Sequence, residues 1–429
     1  MMSTGGGRGS TGRGCSIAAL IVLACAALLW FMVRTASYSA IYRGVASLLD
    51  AYRSPWWLLA VVAAAAALAA RLILSARAPR TLLPDPAPDV QLRAEPVGHL
   101  TVVVSDRDGA AAADIVLPRN PEAERDISGR FAALAARAAS YGGGRERGAQ
   151  EAGRELHALG RALAEMVLGG ERGAAGRLAD LPGNHLQLGV QADLAGLPWE
   201  HLVPREGGMP LWRLFRVARQ LRAPGATRPA AVRPVVPLRL LLVAATSSDE
   251  TPPSSEEEAT AVLELAARRP DVLRVVRKSP RTVDELATLL FEGYDVLHFA
   301  GHAVSFHGNT AWVLPGGRRA PVDELAAARP PAIVFANACG TVAGSSCADL
   351  GETARLLSQW GVRAYVGTLW DIQDAAAASF ARAFYGALIE RATLGEAVTA
   401  ARERVLPDSP LCAANYVLYG DPTLTIGAS

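Results

Sequence analysis

A chain of 429 residues is long enough for two or three domains with a sizeable core. With 43 Lys and Arg against 41 Asp and Glu the net charge is +2, which excludes the basic footprint of a nucleic-acid binder. Five cysteines (Cys15, Cys25, Cys339, Cys347, Cys412) form no CxxC pair, which excludes a disulfide scaffold or structural zinc site and predicts a reduced, intracellular soluble part.

Residues 1–14 are rich in Gly, Ser and Arg and predict a disordered N-terminus. Ile17 to Val33 carries no charge and spans about 25 Å as a helix, the short end of a membrane crossing. The bulky Trp30-Phe31-Met32-Val33-Arg34 that ends it offers no small-x-small cleavage site. A second apolar run, Trp56 to Leu74, is broken only by Arg71 near its end. Neither run has the polar face of a soluble helix. Residues 15–80 therefore predict a transmembrane hairpin with spans at 17–33 and 56–74 and an aromatic anchor at Trp56 and Trp57. Arg8, Arg13, Arg71, Arg77 and Arg80 in the flanks outnumber Arg34, Arg43 and Arg53 in the connecting loop. Positive-inside counting then predicts a multi-pass protein of the inner or plasma membrane with its large C-terminal part in the cytoplasm.

Residues 81–96 read as a Pro-rich linker. An N-terminal part, 97–221, follows. It predicts strands at 99–104 and 114–117, helices at 128–140 and 150–168, a strand at 186–190 and a helix opening at Leu197. A Pro/Ala linker occupies 222–237, and a second part runs over 238–426. Here strands at 240–245, 272–276, 294–303, 332–341 and 364–369 alternate with helices at 256–268, 282–291, 322–328, 350–360, 375–390 and 394–405. A hairpin excursion falls near Trp312, and a last strand at 416–419. The strands are continuous apolar runs, so the fold class is α/β: a mostly parallel sheet with helices on both faces, preceded by an α+β subregion.

Two of these strands end in reactive side chains, His302 and Cys339. A right-handed crossover makes them parallel neighbours, and their carboxyl ends share the edge where open α/β sheets bind ligands. A thiol beside an imidazole there is a nucleophile with its base. A lone buried cysteine is otherwise an inert small hydrophobe. His298, inside the strand, reads as a core histidine, and His307 as a surface one. The backbone N–H groups of Ala303 and Cys339 are candidate oxyanion donors. Asp371 and Asp374 sit at the same edge, placed either to bind a basic side chain of a substrate or to stabilise a helix N-terminus.

LHFAGHA ending at Ala303 and VFANACGT around Cys339 resemble the paired signature of the CHAT family, caspase-like peptidases of the separase, gingipain and caspase clan. LPWEHL at 197–202, the block from Gly351 to Gly395 and NYVLYGDPTL at 415–424 resemble further family motifs, so the similarity covers about 97–425. The resemblance implies a caspase-hemoglobinase-like fold and a cysteine endopeptidase acting on a protein or peptide substrate without a cofactor. His302 is then the general base and acid, and Cys339 the nucleophile. Asp374, after the TLW motif, is implied as a contact for a basic P1 residue. Two departures stand out. Ala303 occupies a position that is usually Gly, and a membrane hairpin replaces the usual recruitment repeats, which implies a recruiting or activating protein partner. The rival expectation is a catalytically silent CHAT fold used as a membrane-tethered binding module.

Overall fold

The computed structural model describes residues 90–96, 98–106, 108–139, 145–191, 194–221, 236–245, 253–306, 309–327, 329–340, 347–370 and 374–426. The expected spans at 17–33 and 56–74, the N-terminus 1–14, His307 and Asp371 lie outside the described residues. No helix among the described residues is long and apolar enough to cross a membrane.

The first part opens with an antiparallel meander, β1 (Val90–Pro96), β2 (His99–Asp106) and β3 (Ala111–Pro118). The linker predicted through residue 96 thus ends before residue 90. Val90, Leu92 and Ala94 alternate with polar residues as a half-buried strand does, a pattern overshadowed by the prolines before it. Helices α1 (Pro121–Ala139), α2 (Arg145–Leu168) and α3 (Ala174–Asp180) follow. Then come β4 (His185–Val190), the short α4 (Leu211–Leu214) and β5 (Arg216–Leu221). Phe131, Leu134, Leu159, Leu163, Leu188 and Trp199 belong to the core of this part. The helix predicted from Leu197 is only a 3-10 turn, Trp199–His201, because its exit residue Leu202 is extended.

The second part alternates as expected. It comprises β6 (Leu238–Ala244), α5 (Pro253–Arg268), β7 (Leu273–Lys278), α6 (Val283–Phe291) and β8 (Val296–Phe306). The hairpin β9 (Asn309–Val313) and β10 (Arg319–Pro321) comes next, then a 3-10 segment at Val322–Ala327 where a helix was expected. After it run β11 (Ile333–Gly340), α7 (Cys347–Trp360), β12 (Ala364–Thr368), α8 (Asp374–Ile389), α9 (Leu394–Val405), α10 (Pro410–Asn415) and β13 (Tyr416–Gly420).

β6 lies between β7 and the first half of β8, and β8, β11 and β12 continue in parallel. β13 is antiparallel to β12 and meets β5 in parallel at Tyr419 and Arg219, so one sheet runs on through β4 and β1 into the meander. Alternation divides its core. Leu240, Leu242, Val296, Ile333 and Phe335 share a cluster with residues of α5, α8 and α9, whereas Leu241, Val243, Leu297, Phe299 and Val334 share one with residues of α6 and α7. Burial on both faces is why these strands are apolar at most positions.

A buried ion pair stands where β5 meets β13. Arg219 Nε donates to Glu200 Oε1 at 2.8 Å, and the guanidinium also donates to the carbonyls of Ala195 (2.6 Å) and Leu197 (3.0 Å). Nearby, Asn415 brackets Trp370: it accepts from the Trp370 N–H at 2.9 Å and donates to the Trp370 carbonyl at 2.6 Å. Trp370 also stacks on Phe131 and lies 5.8 Å from the His201 ring. The LPWEHL, TLW and NYVLYGDPTL segments therefore interlock, each holding the next in place.

Candidate active site

β8 and β11 are parallel and in register from Val296 and Ile333 to Ala303 and Gly340, with Cys339 the partner of His302. The crossover expected between them is present, but the edge differs from expectation. β8 does not end at residue 303. It continues to Phe306 and folds back as β9, so His302 also pairs with Val313 and Ala303 with Trp312. The apolar Trp312, stacked on Phe299 at 4.9 Å, drives this closure.

His302 is half-buried, on the same strand face as Val296 and His298, and its Nδ1 is buried with no hydrogen-bond partner among the described residues. The Ile333 N–H donates to Asp295 and the Ala245 N–H to Ala300. Alternation from these bonds turns the N–H of Ala303 toward β11 and that of Cys339 toward β8. Both candidate oxyanion donors thus face into the ladder. Asp374 is the first residue of α8, where a carboxylate suits the helix dipole. A cleft of about 510 Å³ is lined by Glu256, Glu257 and Thr260 of α5 and by Ala375, Ala378, Ser379 and Arg382 of α8. Glu256 pairs with Arg277 and Arg382 with Glu264.

His298 is the core histidine the sequence predicts, fully buried and stacked on Phe335 at 4.9 Å. Its Nδ1 lies 2.9 Å from the Tyr385 hydroxyl, and its Nε2 lies 3.0 Å from Glu258 Oε1, off the line of an ideal hydrogen bond. Asn337 donates to the same Glu258 oxygen and accepts from the Tyr416 hydroxyl at 2.6 Å. Burial, then the Glu258 charge, push the Tyr385 phenol well above its ordinary range, so it stays a donor. Sequence reasoning missed Glu258, Asn337, Tyr385 and Tyr416. The available signal was helical spacing: Glu258 sits one turn before Val262 and two before Ala266, on the apolar stripe of α5.

The CHAT domain family matches residues 154–421, well over half of the chain. The chain belongs to the CHAT domain family. Among solved structures, this CHAT chain resembles the separase–securin complex of Saccharomyces cerevisiae with a TM-score of 0.52 at 12% identity, over 79% of this chain and 30% of that one. It also resembles gingipain R, an Arg-specific cysteine proteinase, with a TM-score of 0.41 at 11% identity, over 64% of this chain and 68% of that one. The CHAT chain therefore spans under a third of the length of the separase chain it matches. No curated protein matches it. The likeness to separase shows the fold, a mixed α/β architecture with a mostly parallel sheet.

Proposed function

We propose that this CHAT chain is a membrane-anchored cysteine endopeptidase that cleaves a protein substrate with His302 and Cys339. The observation that carries the reading is the pairing of these two positions, partners in register on adjacent parallel strands. In the reaction, His302 takes the Cys339 proton and the thiolate attacks the scissile carbonyl. The imidazolium then protonates the departing amine, and water hydrolyses the thioester to regenerate the thiol. Asp374, with Asp371, would hold a basic P1 side chain beside the cleft between α5 and α8, and no cofactor is required. The two apolar runs at 17–33 and 56–74 would anchor the chain with its peptidase part in the cytoplasm, where Cys339 stays reduced. A protein partner would recruit the substrate or activate the site.

The rival reading, a silent CHAT fold serving as a tethered binding module, is favoured by the ladder at Ala303 and Cys339. Oxyanion donation there needs that ladder to part. Incubating the purified full chain with peptides carrying Arg or Lys at P1 separates the two. The peptidase reading predicts cleavage that Cys339→Ala abolishes. Equal turnover by both proteins removes the mechanism, and turnover by neither favours the silent module.

A further inference from the structure

We propose that Glu258 is a positioning residue that holds the site-bearing ends of β8 and β11 against α5; this rests on the peptidase reading of His302 and Cys339. Asn337 stands two residues before Cys339 and is the register partner of Ala300, two residues before His302. One pleat therefore separates Asn337 from the reactive pair, on the same strand face. The Asn337 amide donates to Glu258 Oε1, and His298 Nε2 approaches that oxygen at 3.0 Å. A single carboxylate oxygen on a helix is thus bonded to one of the strands that carry the pair and set against a side chain of the other.

The far ends of this network are fixed too. Tyr385 of α8 meets His298 at 2.9 Å, and Tyr416 of β13 donates to Asn337 at 2.6 Å. Glu258 is 2% exposed, His298, Tyr385 and Tyr416 between 0% and 1%, and Asn337 6%. Five buried polar side chains are costly to keep in a core, and each becomes more so if a partner is removed. The strand faces would pack as well with apolar residues. What the polar set adds is direction, because hydrogen bonds fix a separation that apolar contacts leave soft. Displacing reacting groups by about 1 Å can cost a hundredfold in rate.

Two readouts test this in the full-length protein. One is amide hydrogen exchange at 299–303 and 335–340; the other is the rate of iodoacetamide labelling of Cys339, read by peptide mass spectrometry. Glu258→Ala is expected to accelerate exchange in these two segments while β6 stays protected, and to slow labelling roughly tenfold. Glu258→Gln keeps Oε1 as an acceptor for Asn337 and within reach of His298, and is expected to restore both readouts. Tyr416→Phe removes one hydroxyl without opening the core, so it provides the same test should Glu258→Ala fail to fold. Its expected effect is the same change, about threefold. Wild-type exchange and labelling in folded Glu258→Ala, or in Tyr416→Phe where Glu258→Ala does not fold, would overturn the proposal. So would failure of Glu258→Gln to rescue either readout. His302→Ala is a separate control: if it leaves Cys339 labelling unchanged, the peptidase reading falls, and the exchange data alone decide whether Glu258 holds the strand ends.

Discussion

Glu200 and Arg219 form a buried ion pair, both side chains wholly without solvent contact. Burial alone would raise the Glu200 carboxyl, but the Arg219 charge and hydrogen bonds, together with the Arg402 charge, hold it below its ordinary 4.5. Burial is also the largest single effect on Arg219 and opposes its charge, yet the charges and hydrogen bonds of Glu200 and Tyr419 together outweigh it and raise its affinity for the proton. For Arg402 burial prevails, drawing the guanidinium down to about 10. Replacing Glu200 by Gln would leave two buried cations facing each other, so Glu200→Gln should cost about 3–5 kcal/mol in a urea titration. The sign with pH follows. A lowered carboxylate contributes stability that is fully present above pH 4.5 and is lost as pH falls through the folded value. The wild-type urea midpoint should therefore drop on acidification below pH 4.5, and the midpoint of Glu200→Gln should drop less.

At the scale of elements, caps and close contacts decide where segments start and how near they approach. Thr393 accepts from the Glu396 N–H at 3.2 Å while the Glu396 side chain accepts from the Thr393 N–H at 2.9 Å, a complete capping box on α9. Thr393→Ala should cost about 1 kcal/mol by thermal or urea unfolding. Gly301, just before His302, has room for no larger residue: an added Cβ would lie 2.9 Å from Ala245 Cβ and 3.3 Å from the Phe299 ring. Gly301→Ala should destabilise by about 1–3 kcal/mol and slow Cys339 labelling. The apolar runs of β6, β8, β11 and β12 were legible because burial on both faces leaves only one kind of residue to use. β5 was not: RVARQL carries two arginines, and the reason one of them lies in a core is Glu200, a partner 19 positions away. The continuation of β8 to Phe306 was hidden for a similar cause, since its pairing with β9 is set by Trp312 and not by its own composition. The register of His302 with Cys339 is seen only in the ladder, but that their strands are parallel neighbours followed from topology. The Glu258 network did not, because an acidic run at a helix start reads as solvated until the packing is seen.

At the scale of the whole molecule, one sheet, of 13 strands among the described residues, carries both the interlocked motif segments and the paired positions. The segments that mark the family mostly build the frame: LPWEHL supplies Glu200, NYVLYGDPTL supplies Asn415 and Tyr416, and the TLW segment is clamped between them. This frame meets β11 where the Tyr416 hydroxyl donates to Asn337, two residues before Cys339. The account stands or falls on whether the imidazole activates the thiol. The most direct test is the rate of iodoacetamide labelling of Cys339 at neutral pH in wild type against His302→Ala. The account predicts a rate roughly tenfold higher in wild type, since a neighbouring imidazole raises the thiolate fraction. Equal rates in the two proteins would contradict it.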